Sequence, residues 1–218
     1  MEAIVTDLSG SSSILNTYLK ELRDHVIQKD RLRFRTNLER LAEIIAYEIS
    51  KELVYKSIVT ETPLGETECK VLAEQPVLCS ILRAALPMHD GFLRIFDNAD
   101  NAFISAYRKH NLDDDEFVVP VGYLASPDLT NRTIILMDPM IATGKSLVKV
   151  YNELTDRYDV GKVFIASIIV SEEGLEYVRT QIKGARIFTC AIDDELTASY
   201  YIVPGLGDAG DLAFGSKH

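Results

Sequence analysis

The chain has 218 residues, 47% of them hydrophobic, which is enough for a sizeable core and predicts a single globular domain over residues 1–218. Its 23 basic and 33 acidic residues give a formal net charge of −10, which argues against a nucleic-acid partner because nucleic-acid surfaces cluster Lys and Arg. No stretch approaches the roughly 18 uninterrupted apolar residues of a membrane span, and the N-terminus lacks the regions of a signal peptide, so we expect a cytoplasmic protein without a membrane partner. Cys69, Cys79 and Cys190 include no Cys-x-x-Cys pair and predict reduced thiols, with Cys79 and Cys190 buried.

An N-terminal segment of about residues 11–50 is predicted to be helical. Apolar residues recur at helical spacing from Ile14 to Val26, after a cluster of serines that can cap a helix. A second helix is predicted to begin at Asp30, with an apolar face that starts at Phe34. These helices could form a hood, a dimer arm or a packing layer.

Further along the chain, short apolar strands alternate with amphipathic helices. Strands are predicted over 53–60, 69–72, 77–82, 103–107, 134–137, 163–170 and 185–190, and helices over 88–96, 147–158 and 172–182. This alternation predicts an α/β fold with a doubly wound, mainly parallel sheet and helices on both faces. Ligands bind such sheets beyond the carboxyl ends of the strands, and Arg83, Arg108 and Asp138 each follow a predicted strand. Residues 108–128 have no clear periodicity.

The most informative stretch lies at residues 133–146, where a buried strand, a small-residue turn and the start of an amphipathic helix follow one another. Free N–H groups and the positive end of the helix dipole attract anions at such a turn. Thr143 and Ser146 add hydroxyl donors, and Asp138 could hold sugar hydroxyls or a metal. Phosphate beside a carboxylate indicates a phosphorylated sugar as ligand.

Two other interpretations of this stretch must be weighed. Gly144, Lys145 and Ser146 also end the nucleotide P-loop motif, but the first glycine of that motif should stand at position 139, which is Pro139. Proline fixes φ and has no N–H to donate. The other alternative is an ordinary strand-to-helix turn with a capped helix, because short motifs match by chance.

A second unusual stretch lies near the C-terminus, at residues 200–211. It contains three glycines and a proline, a composition that predicts no regular element and allows backbone groups to approach a flat ligand closely. The four histidines show no pairing with an acid and a nucleophile, so a hydrolytic triad is not expected.

Four segments resemble those of one family. The 138–146 loop resembles the phosphoribosyl diphosphate (PRPP) loop of the type I phosphoribosyltransferases, in the Asp-Pro-Met-x-Ala-Thr-Gly form of the uracil phosphoribosyltransferases. The stretch 81–86 is similar to their pyrophosphate loop, with Ala85 where they usually have glycine, and Tyr107-Arg108 resembles a Tyr-Arg pair that precedes a flexible lid. The 200–211 loop closely resembles their uracil-binding loop. Lys145 departs from the glycine that many members carry, and we expect its side chain to face solvent.

The resemblance implies a type I phosphoribosyltransferase fold with N-terminal helices and a C-terminal base-binding loop, and transfer of the phosphoribosyl group of PRPP to uracil, giving UMP and pyrophosphate. It assigns catalytic roles to Asp138, Arg108 and Asp208. It assigns PRPP to Arg83, Arg108, Asp138, Pro139, Met140, Ile141, Ala142, Thr143, Gly144, Lys145, Ser146 and Asp208.

The resemblance further assigns uracil to Ile202, Gly207, Asp208 and Ala209. It implies that Mg²⁺ is the cofactor and arrives on PRPP, with no direct protein ligand and with Asp208 reached through water. It also implies a homodimer or higher homo-oligomer, with GTP as a candidate effector. The alternative from another class is a pyrimidine-sensing regulator with the same fold that binds RNA or DNA.

Overall fold

The structure, a computed structural model, describes residues 2–106, 109–110, 117–118 and 121–216. Its strands are β1 (Ile4–Asp7), β2 (Tyr55–Thr62), β3 (Gly65–Leu72), β4 (Val77–Leu82), β5 (Asp100–Ala106), β6 (Lys109–His110), β7 (Phe117–Val118), β8 (Val121–Ala125), β9 (Ile134–Met137), β10 (Met140–Ile141), β11 (Val163–Ser171), β12 (Arg186–Asp193), β13 (Glu195–Leu196) and β14 (Ile202–Val203). Its α-helices are α1 (Ile14–Arg23), α2 (Arg31–Ser50), α3 (Leu86–Ile95), α4 (Lys145–Thr155), α5 (Glu172–Gln181) and α6 (Ala209–Phe214), and short 3-10 helices cover Leu8–Gly10 and Ile27–Lys29.

The central sheet has the strand order β1-β12-β11-β9-β4-β5-β8, and β10 also pairs with β11. Each neighbouring pair from β1 to β5 in that order is parallel, and β8 lies antiparallel to β5 at the edge. Parallel neighbours require crossover connections, which the helices supply. The predicted α/β fold with a mainly parallel sheet is therefore confirmed.

Helices cover both faces of this sheet. On one face α1, α2, α3 and α6 contribute to a core that includes the strand residues Leu78 and Phe188. On the other face α4 and α5 pack against strand residues such as Cys79 and Ile165. Because successive strand residues point to opposite faces, a central strand is covered on both sides, and all nine residues of β11 are buried. The doubly wound arrangement is confirmed.

The two N-terminal helices form a packing layer, one of the three roles expected for them. Ser13 caps α1, since its hydroxyl accepts from the Leu15 N–H at 3.3 Å. The helix ends at Arg23, before the predicted Val26, because the Asp24 carboxylate accepts from the N–H groups of Val26 and Ile27 and begins a new turn. Both helices bury their apolar faces in the core that they share with the central sheet.

Other element boundaries differ from the sequence pattern. The pattern misses β1, a short edge strand with no buried residue, and β8, which lies in the aperiodic 108–128 segment and exposes Tyr123. It also ends β12 at residue 190, three residues early, because the strand continues as far as a polar residue, Asp193. Helix α4 ends at Thr155 rather than at 158, and β5 begins at Asp100 rather than at 103. Polar residues lie at both of these ends, so the apolar pattern does not mark them.

The strands predicted over 53–60 and 69–72 are present as β2 and β3, which pair antiparallel in a hairpin that forms a separate two-stranded sheet. Cys79 and Cys190 are fully buried, as predicted, and burial raises the pKa of the Cys79 thiol to about 12. All three cysteines are free thiols. Within the described ranges, no helix is both long enough and apolar enough to cross a membrane.

A buried polar pair links β4 to α3. The Ser80 hydroxyl and Nδ1 of His89 are 2.8 Å apart, and the His89 ring lies 4.7 Å, centroid to centroid, from that of Phe103. Burial lowers the pKa of His89, although Asp90 and a hydrogen bond with Asn101 oppose the shift. The neutral imidazole is thus part of the folded core.

Candidate active site

Four adjacent parallel strands, β12, β11, β9 and β4, end at the same edge of the sheet. The residues at or directly after these ends are Asp193, Ser171, Asp138 and Arg83. Since ligands of open α/β sheets bind beyond the carboxyl ends of the strands, this edge is the candidate active site. Asp138 and Arg83 were predicted to lie there, whereas Asp193 and Ser171 carry no recognised motif.

The 138–146 loop leads into the N-terminus of α4, as predicted. Gly144 precedes the helix with φ +72°, a left-handed conformation that favours glycine, and offers no capping side chain. The Thr143 hydroxyl accepts from the Lys145 N–H at 3.5 Å, a long hydrogen bond. The first N–H groups of α4 therefore have no intrahelical partner and are suited to bind an anion. Thr143 and Ser146 are half-buried beside this turn, whereas the Lys145 side chain is exposed, which agrees with the expectation that it faces solvent.

Helix α5 supports the 138–146 loop from behind. The Ser171 hydroxyl donates to the Ala142 carbonyl at 2.5 Å and accepts from the Gly174 N–H at 2.9 Å. A Cβ atom at Gly174 would overlap the Ala142 carbonyl oxygen, so only glycine permits this approach. The sequence pattern did not indicate Ser171 and Gly174. Serine is a preferred residue at helix N-termini, so its position directly before the predicted helix could have indicated that Ser171 caps α5.

Asp138 extends β9 by one residue. Its N–H donates to the Ala166 carbonyl on β11 at 3.2 Å, and its carboxylate accepts from the Met140 N–H at 3.3 Å. The side chain is half-buried. An acid fixed at a strand end and next to an anion-binding turn is placed to contact a sugar that carries a phosphate.

The 200–211 loop is partly regular, which corrects the expectation that it contains no regular element. Its first part pairs as β14 with β13, and its last part begins α6, where the Asp208 carboxylate caps the helix by accepting from the Asp211 N–H at 2.9 Å. Between them, Gly205 and Gly207 have φ values of +54° and +99°. The positive φ values fall in the turn between β14 and α6, so this glycine-rich stretch can still contain a short strand and the capped start of a helix.

Arg83, which directly follows β4, contacts the C-terminal segment. Its Nη2 donates to the Asp211 carboxylate at 2.7 Å and to the Gly215 carbonyl at 2.7 Å. Its Nε is a buried donor that finds no hydrogen-bond partner in the part of the chain that the structure describes. The arginine predicted for pyrophosphate therefore contacts the C-terminal segment in this structure.

The remaining predicted site residues are placed as follows. Ile202 and Ala209 are buried and Gly207 is exposed. Arg108, and with it the Tyr-Arg pair and the predicted lid that follows, lies outside the described residues. Among the residues that are described, no group of three or more His, Cys, Asp and Glu side chains could hold a metal ion.

The comparisons with known proteins agree with this geometry. A family model described as "Uracil phosphoribosyltransferase" matches residues 9–216. The uracil phosphoribosyltransferase of Porphyromonas gingivalis is 47% identical, over 98% of this chain and 99% of that protein, and that of Sulfolobus acidocaldarius is 39% identical, over 94% and 97%. The solved structure of the AQ2163 protein from Aquifex aeolicus matches with a TM-score of 0.84 at 27% identity, over 97% of this chain and 98% of that one. With nearly its whole length matched by one family model, and with the two loops of that resemblance lying at the same sheet edge, the chain belongs to the uracil phosphoribosyltransferase family.

Proposed function

We propose that the protein transfers the phosphoribosyl group of PRPP to uracil, giving UMP and pyrophosphate, a reaction of pyrimidine salvage. The observation that carries the proposal is that the 138–146 loop and the 200–211 loop lie at the same edge of the sheet, where Arg83 contacts Asp211 at the end of the second loop. The first loop is suited to the phosphate of a sugar, and the second offers backbone groups to a flat base. The curated relatives carry the name of this enzyme.

On the PRPP side, the N–H groups at the start of α4 and the hydroxyls of Thr143 and Ser146 would hold the 5′-phosphate, and Asp138 the ribose hydroxyls. We assign the pyrophosphate to Arg83 and Arg108, because a guanidinium fork donates to two oxygens at once. Since Arg83 contacts Asp211, its binding of pyrophosphate must use other donors of the guanidinium or exchange that contact.

On the base side, Ile202, Gly207 and Ala209 would present backbone groups to uracil. A site that binds a base through backbone groups has donors and acceptors in fixed positions, so it selects the base by its hydrogen-bonding pattern. Asp208, which caps α6 beside these residues, lies at the boundary that we assign between uracil and PRPP.

The chemistry asks for positioning and charge neutralisation rather than proton transfer by side chains. Displacement at an anomeric carbon passes through an oxocarbenium-like transition state, which Asp138 would stabilise by its negative charge. Mg²⁺ would neutralise the charge of the diphosphate leaving group. The carboxylates of Asp138 and Asp208 are oxygen donors of the kind Mg²⁺ takes, often through water, and we propose that the metal arrives on PRPP with Asp208 reached through water.

Assembly and location are further proposals. A two-stranded hairpin is marginally stable alone, and the β2–β3 hairpin exposes Val59 by 70% and Leu64 completely. Apolar side chains so exposed favour a homodimer or higher homo-oligomer. Regulation of that assembly by GTP, a cytoplasmic location, and the absence of a nucleic-acid partner remain proposals that rest on the family resemblance and the acidic charge.

Incubation of the protein with labelled uracil, PRPP and Mg²⁺ tests the function. Formation of labelled UMP is expected, and no product is expected when ATP and uridine replace uracil and PRPP. A product only in the second mixture would indicate a P-loop nucleoside kinase, which Pro139 already opposes. The comparisons give no support to the nucleic-acid-binding regulator.

A further inference from the structure

The 200–211 loop would recognise uracil mainly with backbone groups, so recognition depends on how firmly that backbone is held. Gly205 lies between Ile202 and Gly207, the two points from which backbone groups would reach the base. Its φ of +54° and the overlap that a Cβ atom there would make with the Ile202 carbonyl allow only glycine. Any movement at Gly205 would move both points.

Both polar backbone groups of Gly205 are held by a single ion pair. Oδ2 of Asp193, the last residue of β12, accepts from the Gly205 N–H at 2.8 Å. Nη1 of Arg23, the last residue of α1, donates to the Gly205 carbonyl at 3.1 Å. The Gly205 backbone is thus hydrogen-bonded to the last residue of β12 and to the last residue of α1.

The ion pair itself is bidentate and partly buried. Arg23 Nη1 lies 2.8 Å from Asp193 Oδ2, and Nη2 lies 2.7 Å from Oδ1, while the Asp193 side chain is only 6% exposed. Two parallel hydrogen bonds fix the orientation of both groups as well as their distance. Removal of one partner leaves a buried charge uncompensated, so the pair acts as a unit.

We propose that Arg23 and Asp193 are positioning residues for uracil that act through Gly205. No motif in the sequence assigns either residue to a substrate, and neither residue belongs to the PRPP side of the site. The proposal rests on the proposed function and assigns the N-terminal helix α1 a part in base recognition. Since a misplacement of about 1 Å can cost roughly 10²-fold in rate, loosening the turn should weaken the use of uracil more than the use of PRPP.

A graded set of variants tests this in the full-length protein, with KM measured separately for uracil and PRPP. Asp193→Ala removes the contact with the Gly205 N–H and the ion pair with Arg23, whereas Asp193→Asn keeps an oxygen that can accept from the Gly205 N–H. Arg23→Lys keeps the charge but lacks the fork. We expect the uracil KM to rise about tenfold or more in Asp193→Ala, about 1.4 kcal/mol, and less in the two conservative variants, with the PRPP KM within about twofold of wild type throughout.

Arg33→Gln is the matched control. Arg33 forms an equally bidentate pair with Glu21, at 2.9 and 2.6 Å, and this pair ties α2 to α1 without contacting the 200–211 loop. Its loss should leave the KM of both substrates unchanged. The free energy of unfolding in urea, measured for every variant, shows how much of each effect is global.

An unchanged uracil KM in Asp193→Ala overturns the proposal, as does an equal rise of both KM values that follows the loss of stability. If Asp193→Ala fails to fold, Asp193→Asn and Arg23→Lys decide by the same criterion. The wild-type assay separates the two failures: a wild type that makes no UMP overturns the proposed function and this inference with it, whereas an active wild type with unselective variants overturns the inference alone.

Discussion

Replacing Gly144 by alanine tests whether the 138–146 loop binds the phosphate of PRPP. The left-handed φ of +72° costs a residue with a Cβ atom about 1–2 kcal/mol. The new Cβ would also lie 2.8 Å from Val178 Cγ2 and 2.9 Å from the Gly174 carbonyl oxygen. Because the second of these is backbone, the loop itself must move, and overpacking of this kind costs about 1–3 kcal/mol.

The two costs together predict a loss of about 2–5 kcal/mol in the free energy of unfolding. Within the ordinary stability range of about 5–15 kcal/mol, a domain stays largely folded after such a loss unless it starts at the low end of the range. The displaced loop, however, no longer aligns its N–H groups with the phosphate. We therefore expect kcat/KM for PRPP to fall by about 10²-fold.

Gly184→Ala separates backbone strain from loop displacement. Gly184 has a similar φ of +78°, but a Cβ atom there meets no heavy atom within 4 Å, and it lies in the turn between α5 and β12, away from the loop. This variant should lose only about 1–2 kcal/mol and keep its PRPP kinetics. Urea denaturation and initial rates with varied PRPP at saturating uracil measure both quantities, and Gly144→Ala with PRPP kinetics like those of Gly184→Ala would refute the assignment of the loop.

Four further outcomes are expected. Asp138→Asn should fold normally but lose about 10²-fold in kcat, as for removal of one electrostatic stabiliser, and near-normal turnover in a folded variant contradicts its role. Lys145→Gly should leave the PRPP affinity unchanged because the lysine is exposed, whereas a tenfold fall, about 1.4 kcal/mol, would make it a phosphate ligand. In assays of kcat/KM at saturating PRPP, 5-fluorouracil should be a substrate, because a small C5 substituent disturbs no hydrogen bond, while cytosine should be rejected by about 10⁴-fold; comparable values would mean that the 200–211 loop does not read the base. Burial lowers the pKa of His89, so as pH falls below about 6.5 the unfolded chain binds a proton at this histidine that the folded chain does not bind. The free energy of unfolding should therefore fall as the pH falls. A His89→Gln variant that loses as much stability between pH 7 and 5.5 as the wild type would exclude His89 as the cause.

The strands and helices next to the PRPP side were predictable because their signals are local. Four apolar residues, an acid and a glycine turn lie within one short stretch, and the structure gives β9, Asp138, Gly144 and α4 in that order. The central strands β4, β9 and β11 were predictable for the same reason, since each is a largely apolar run next to a predicted helix.

The contacts that hold the site were not predictable, because they join residues far apart in the chain. Arg23 and Asp193 are separated by 170 positions, and a local pattern gives no sign that one is the partner of the other. Arg83 was predicted to follow β4, which is correct, but its contact with Asp211, 128 positions away, depends on where the C-terminal segment packs. Edge strand β1 was missed because a strand without buried residues carries no apolar pattern.

The packing of α2 has a consequence for the order in which the chain is buried during synthesis. This helix contacts α3, which follows soon after it, but also β11, β12 and α6, and its Arg35 donates to the Ala213 carbonyl across 178 positions. At about 5–20 residues per second on the ribosome, these later partners emerge roughly 5–35 s after the helix. The apolar face of α2 is therefore only partly covered through most of translation, and transiently exposed apolar surface of this kind is prone to aggregate. The base side of the site joins α1 to the 200–211 loop, so it cannot form until that loop has been synthesised.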